Sequence, residues 1–253
     1  MALLEIHFRS VVLQRSVSFA AILPEPVEDA AGPPYRTLWL LHGLSDDHTT
    51  WTRNTSIERY ARQRGLAVVM PDAGRSFYAD TVGGERYWTF ISEELPAAAR
   101  RVLPLSDRRE DNAVAGLSMG GYGAFKLALA HPERFEAGMS LSGALAVAQR
   151  DERGDDVGQA VRRAFGEPAA ARGTEADLMH MATRAAGGQG PPIRLWACCG
   201  DADFLYEENL AFKDHAARVG LHVDWRFDPG DAHDWGYWDR AIQWALDWLA
   251  WRG

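Results

Sequence analysis

Residues 113–125 read AVAGLSMGGYGAF. The apolar run NAVAGL (112–117) leads straight into Ser118, and a helical pattern begins directly after it. Within the stretch, Gly116-Leu117-Ser118-Met119-Gly120 has the form G-x-S-x-G. A serine between a strand and a helix stands on a sharp turn that lifts its hydroxyl above the carboxyl edge of a sheet. Glycines two residues to either side leave room for backbones that side chains would hold apart. A glycine-rich turn with no chemistry fits the same letters. The rest of the chain must decide, because a serine hydroxyl needs a base and the base needs an orienting acid.

Outward from this junction, short apolar runs recur at TLWLLH (37–42), LAVVMP (66–71), EAGMSLS (136–142) and IRLWACC (193–199). Each is too short for a helix and lacks alternation, as strands buried on both faces of a parallel sheet do. Two earlier runs, LLEIHF (3–8) and SVSFAAIL (16–23), also read as strands, followed by a Pro/Gly turn region over 25–36. Helical patterns fall between at 56–65, 91–103, 121–132, 206–220 and 239–251. Alternating strands and helices predict an α/β fold with a mostly parallel central sheet flanked by helices. Residues 144–190 are rich in Ala, Arg, Gly and charge. They read as a cap-like excursion within a single domain spanning 1–253.

Composition narrows the function classes. The chain has 253 residues, 47% hydrophobic and 25% charged, with a formal net charge of -8. These are the proportions of a globular protein. Its basic residues are nearly all arginine, and no basic stripe with interleaved aromatics is present, which argues against nucleic acid. No run approaches the roughly 20 apolar residues of a membrane span. The N-terminal MALLEIHFRS lacks the basic segment and long apolar run of a signal peptide. Cys198 and Cys199 are adjacent and cannot staple distant segments. A cytoplasmic location is the resulting expectation.

On a sheet of this kind the acid and then the base follow the serine, each on a loop after a later strand. IRLWACC ends in Gly200-Asp201-Ala202-Asp203-Phe204, which offers Asp203 first and Asp201 second. Asp201 directly follows the glycine and could equally brace the turn. The next strand pattern, 222–230, leads to Asp231-Ala232-His233-Asp234-Trp235. His233 therefore fills the base position. Two backbone donors would complete the set: the N–H of Met119, after the serine, and that of Leu44, in the His42-Gly43-Leu44 loop after TLWLLH.

Several longer stretches make the chain resemble the esterase D family of α/β-hydrolases, in its tributyrin esterase and acetyl esterase branch. They are LLHGLSDDHTTW (40–51), GRSFYAD (74–80), YWTFISEELP (87–96), GLSMGGYGAFKLAL (116–129), CGDADFLYEEN (199–209) and HDWGYWD (233–239). The resemblance implies hydrolysis of short-chain acyl esters by serine, aspartate and histidine with no metal or other cofactor. Carried over, Ser118 is the nucleophile, His233 the base, Asp203 the acid, and Leu44 and Met119 the oxyanion donors. Asp203 is preferred to Asp201 because the family's acid stands just before Phe204-Leu205-Tyr206. Phe77 and Tyr78, on a loop near glycines, and Trp235 are candidate pocket residues.

The implied partner is a small acyl ester. Family members are often oligomeric, which leaves a homo-oligomer open. An S-formylglutathione hydrolase is the nearest rival reading, followed by a carbohydrate acetyl or feruloyl esterase. A non-catalytic hydrolase-fold binding protein is a different class, and it would have no need of all three side chains.

Overall fold

The structure, a computed structural model, describes residues 1–25, 32–150, 154–188 and 190–250. Parts of the expected turn at 25–36 and of the excursion at 144–190 lie outside the described residues, as does Trp251 of the last helical pattern. Eight strands form one sheet: β1 (Ala2–Arg9), β2 (Ser16–Leu23), β3 (Thr37–Leu41), β4 (Ala67–Pro71), β5 (Asn112–Leu117), β6 (Ala137–Leu141), β7 (Arg194–Gly200) and β8 (Asp224–Asp228). Their spatial order is β1-β2-β4-β3-β5-β6-β7-β8. The first two strands form an antiparallel hairpin, and β2 meets β4 antiparallel. All remaining pairings are parallel. The run pattern predicts this mostly parallel α/β sheet, and the resemblance implies its α/β-hydrolase architecture.

The first helices are α1 (Thr50–Asn54), α2 (Ile57–Gln63), α3 (Tyr87–Thr89) and α4 (Leu95–Val102). After the elbow come α5 (Met119–Ala130), α6 (Asp156–Phe165), α7 (Pro168–Ala171), α8 (Leu178–Ala186), α9 (Tyr206–Val219) and α10 (Trp235–Leu249). They cover both faces of the sheet, so the central strands have no polar side. In β3, Trp39 and Leu41 join the core shared with α4, α5 and α9, while Leu38 and Leu40 join the core under α2 and α10. Between residues 144 and 190 the described residues form α6, α7, α8 and a 3-10 turn at Val147–Gln149, with no strand among them. No helix of the described residues is long and apolar enough to cross a membrane.

Three boundaries differ from the sequence pattern, each for a local reason. Helix α10 starts at Trp235 instead of Asp239, because the Asp234 carboxylate caps it by accepting the Tyr237 N–H at 3.0 Å. Helix α5 starts at Met119, directly off the serine turn. Finally, α3 runs into α4 through a π turn, Phe90–Glu94. Pro96 cannot donate to the carbonyl of Ser92 four residues back, and its ring needs space there. The Arg134 guanidinium donates to that Ser92 carbonyl at 2.7 Å.

Candidate active site

The loops that leave β3, β5, β7 and β8 at their carboxyl ends meet over one cavity. Ser118 stands between β5 and α5 with a positive φ, at φ 53° and ψ -117°. A non-glycine residue there is strained and must be held by its surroundings. The holding is visible: the Ser118 N–H donates to the Leu141 carbonyl at 2.9 Å, and its carbonyl accepts the Ala144 N–H at 3.1 Å. The glycines around it are obligatory. A Cβ on Gly116 would lie 2.3 Å from the Gly120 carbonyl oxygen, and one on Gly120 would lie 2.5 Å from that of Leu41.

His233 joins the serine to an aspartate. Its Nε2 lies 3.0 Å from Ser118 Oγ and its Nδ1 lies 2.8 Å from Asp203 Oδ2. A carboxylate only accepts, so Nδ1 carries the proton and Nε2 is free to accept from the serine hydroxyl. The Asp203 side chain is fully buried, and its Oδ1 accepts the Leu205 N–H at 2.8 Å. Asp201 faces the other way. Its carboxylate accepts the Gly230 N–H at 2.7 Å and ties the loop after β7 to the turn after β8. The two aspartates that the motif leaves open thus point to different places.

The cavity has a volume of about 350 Å³, and its wall includes Ser118, His233, Leu44, Met119, Phe77 and Trp235. Met119 is the first residue of α5, where helix N–H groups have no intrahelical acceptor. Tyr78 does not line this cavity, and here the pocket expectation is corrected. It is fully buried among core side chains, and its hydroxyl donates to the His42 carbonyl at 2.9 Å. Burial also pushes its phenol well above the ordinary range, so it stays a donor.

His42 is a further residue that spacing alone sets aside. It is buried, and burial lowers its pKa. The Ala73 N–H donates to Nε2 at 2.9 Å, so the neutral ring carries its proton on Nδ1, 2.7 Å from the Gly43 carbonyl. This ring and Tyr78 together brace the loop that carries Leu44. Arg75, Arg150 and Asp156 also reach the cavity wall. Arg75 bonds the Asp156 carboxylate at 2.6 Å, and Arg150 pairs with Glu208. Among the described residues no group of His, Cys, Asp and Glu could hold a metal ion.

Comparisons with known proteins place the chain in a family. The family model described as "Putative esterase" matches residues 10–249, nearly the whole chain. This chain belongs to that esterase family. It is an enzyme acting on ester bonds, consistent with the esterase D resemblance. An acetyl esterase of Caldicellulosiruptor saccharolyticus is 30% identical, over 99% of this chain and 98% of its own. Two solved Staphylococcus aureus structures are each 36% identical and match over 98% of both chains. One is the fluorophosphonate-binding serine hydrolase FphF, with a TM-score of 0.89, and the other the S-formylglutathione hydrolase FrmB, with 0.85.

Proposed function

We propose that this esterase is a carboxylesterase that hydrolyses short-chain acyl esters, acetyl to butyryl, through Ser118, His233 and Asp203. The observation that carries the reading is the double hydrogen bond of His233, to Ser118 on one side and Asp203 on the other. His233 takes the hydroxyl proton as Ser118 Oγ attacks the ester carbonyl. The N–H groups of Leu44 and Met119 receive the negative charge on the former carbonyl oxygen, helped by the positive end of α5. The C–O bond to the alcohol breaks, and the alcohol leaves with the proton from His233. Water then gives a proton to His233 and attacks the acyl-enzyme, which releases the acid and restores the serine. Asp203 keeps the ring in the right tautomer and stabilises the imidazolium.

The cavity's size and charge support the substrate class. About 350 Å³ is near the lower end of small-molecule sites, which run from roughly 300 to 1,000 Å³. Its two arginines each have a carboxylate partner, a balance that suits a neutral ester better than an anionic thiol leaving group. The similarity to an acetyl esterase points the same way, and that to an S-formylglutathione hydrolase keeps the thioester as the rival. In this reading residues 1–253 form one hydrolase domain, and the excursion at 144–190 contributes cavity wall through Arg150, Asp156 and Val157. The free, buried thiols of Cys198 and Cys199 suit a cytoplasmic setting.

The test is kcat/KM for p-nitrophenyl esters from acetate to octanoate, beside S-formylglutathione, with Ser118→Ala as control. The expected profile peaks between acetate and butyrate, and kcat falls by on the order of 10⁶ in the variant. Strong thioester turnover with weak ester turnover would move the enzyme to the rival class. A merely tenfold loss in the variant would remove Ser118 as nucleophile.

A further inference from the structure

The tetrahedral adduct of such a reaction has fixed directions. One arm is the bond to Ser118 Oγ, and the oxyanion points at the N–H groups of Leu44 and Met119. The leaving oxygen must face His233 Nε2, because that nitrogen supplies its proton. The acyl chain takes the remaining arm. Side chains beside the His233 ring therefore border the alcohol half of the ester.

Three aromatic rings stand there. Phe204 lies with its ring centroid 4.4 Å from that of His233. Trp238 meets His233 edge-on at 4.8 Å, and Trp235 meets Trp238 edge-on at 5.2 Å. All three line the cavity. Phe77 shares the wall, but its ring neighbours are Tyr122 and Phe165.

Phe204 is the unusual member. It is 67% exposed, the one aromatic among the strongly exposed large apolar side chains of the described residues. Its neighbours Asp203 and Leu205 are both buried, and the Leu205 N–H is tied to the Asp203 carboxylate. The backbone is thus pinned on both sides, and the ring between them is held outward against His233. Single exposed apolar residues need no explanation on an ordinary surface. An exposed ring against the proposed base, on the wall of the substrate cavity, is placed where an alcohol group would cover it.

We propose that Phe204, backed by Trp235 and Trp238, forms an aryl subsite for the leaving alcohol, so that the enzyme prefers esters of benzylic or phenolic alcohols. The inference rests on the serine-esterase reading above. Its test uses three acetates whose alcohols are of similar basicity: benzyl, cyclohexylmethyl and ethyl acetate. Ring–ring contacts are worth about 2- to 10-fold in binding beyond area alone. The expected wild-type kcat/KM therefore favours benzyl over cyclohexylmethyl acetate by about 5-fold. In Phe204→Leu, which keeps apolar bulk at an exposed position, that ratio falls towards one. The butyrate-to-acetate ratio for p-nitrophenyl esters stays as in the wild type.

A benzyl preference absent from the wild type, or undiminished in Phe204→Leu, would overturn the subsite. So would an equal loss on all three acetates, accompanied by a shifted pH profile. That outcome would make Phe204 a shield for His233 and not a contact for the alcohol. Absence of any Ser118-dependent turnover of p-nitrophenyl acetate would instead overturn the esterase reading beneath it.

Discussion

Gly120 shows how little tolerance the elbow has. Helix α5 passes so near the end of β3 that a methyl group at this position would press on two backbone carbonyls, those of Leu41 and His42, at 2.5 and 2.7 Å. Backbone cannot rotate aside as a side chain can, so the helix would have to move, and Met119 with it. Gly120→Ala is therefore expected to lower Tm by roughly 5–10 °C, the equivalent of overpacking by about 2–3 kcal/mol. Gly154→Ala, with open space around it, should stay within about 0.5 kcal/mol of the wild type. Equal melting temperatures for the two variants would contradict the close approach. Much of the elbow was legible in the sequence, because strand, turn and helix are contiguous there and each leaves a local mark. Asp203 and Asp201 were not separable by spacing, since two residues of one loop can face opposite ways. Tyr78 departs from the pocket expectation for a related reason. Consecutive left-handed residues, Phe77 at φ 49° and Tyr78 at φ 48°, send one ring to the cavity and the other under the His42 loop. Only tertiary packing decides which goes where.

Helix α9 links the two loops that hold the serine and the aspartate. Asn209 on its first turns is fully buried, and its Nδ2 donates to the Gly143 and Leu205 carbonyls, both at 2.9 Å. Gly143 precedes the residue whose N–H holds the Ser118 carbonyl, and Leu205 holds the Asp203 carboxylate. Asn209→Ala loses two donors whose acceptors keep other partners, Leu145 N–H on Gly143 and the helical N–H on Leu205. The expected cost is about 1–2 kcal/mol in urea unfolding. Asn209→Asp should cost more, because it sets a buried carboxylate against two carbonyl oxygens. If Asp were the milder change, the side chain would not be donating to these two carbonyls in the folded protein. The helical patterns themselves were readable from periodicity, but a bond of this kind was not. Its partners lie far apart in the chain, and nothing in YEENLAF marks the asparagine as facing inward.

At the scale of the whole molecule, one buried amine ties helix α5 to the layers above it. Lys126 lies on α5 with its side chain enclosed; Nζ donates to the Tyr78 carbonyl at 2.9 Å and stands 4.1 Å from the centre of the Trp88 ring. It thereby connects the helix after Ser118 to the loop under His42 and to α3. Burial opposes the ammonium and lowers its pKa from the ordinary 10.5 to about 7, with Glu175 and Asp80 pulling weakly the other way. The sign for stability follows. Between about pH 7 and 10.5 the unfolded chain holds a proton on this lysine that the folded protein does not, so unfolding takes up a proton and stability rises with pH. Below about pH 7 both states are protonated and the full burial penalty remains. One proton corresponds to a slope of up to about 1.4 kcal/mol per pH unit. Lys126→Met removes this titration while keeping an apolar stem against Trp88. Urea unfolding of both proteins from pH 7 to 9.5 should therefore show wild-type stability gaining on the variant as pH rises. Parallel lines would mean that the Trp88 face and the Tyr78 carbonyl hold the amine charged in the folded state. The lysine would then act as a buried cationic tie between α5 and the layers above it, and removing it would cost the same at every pH in that range.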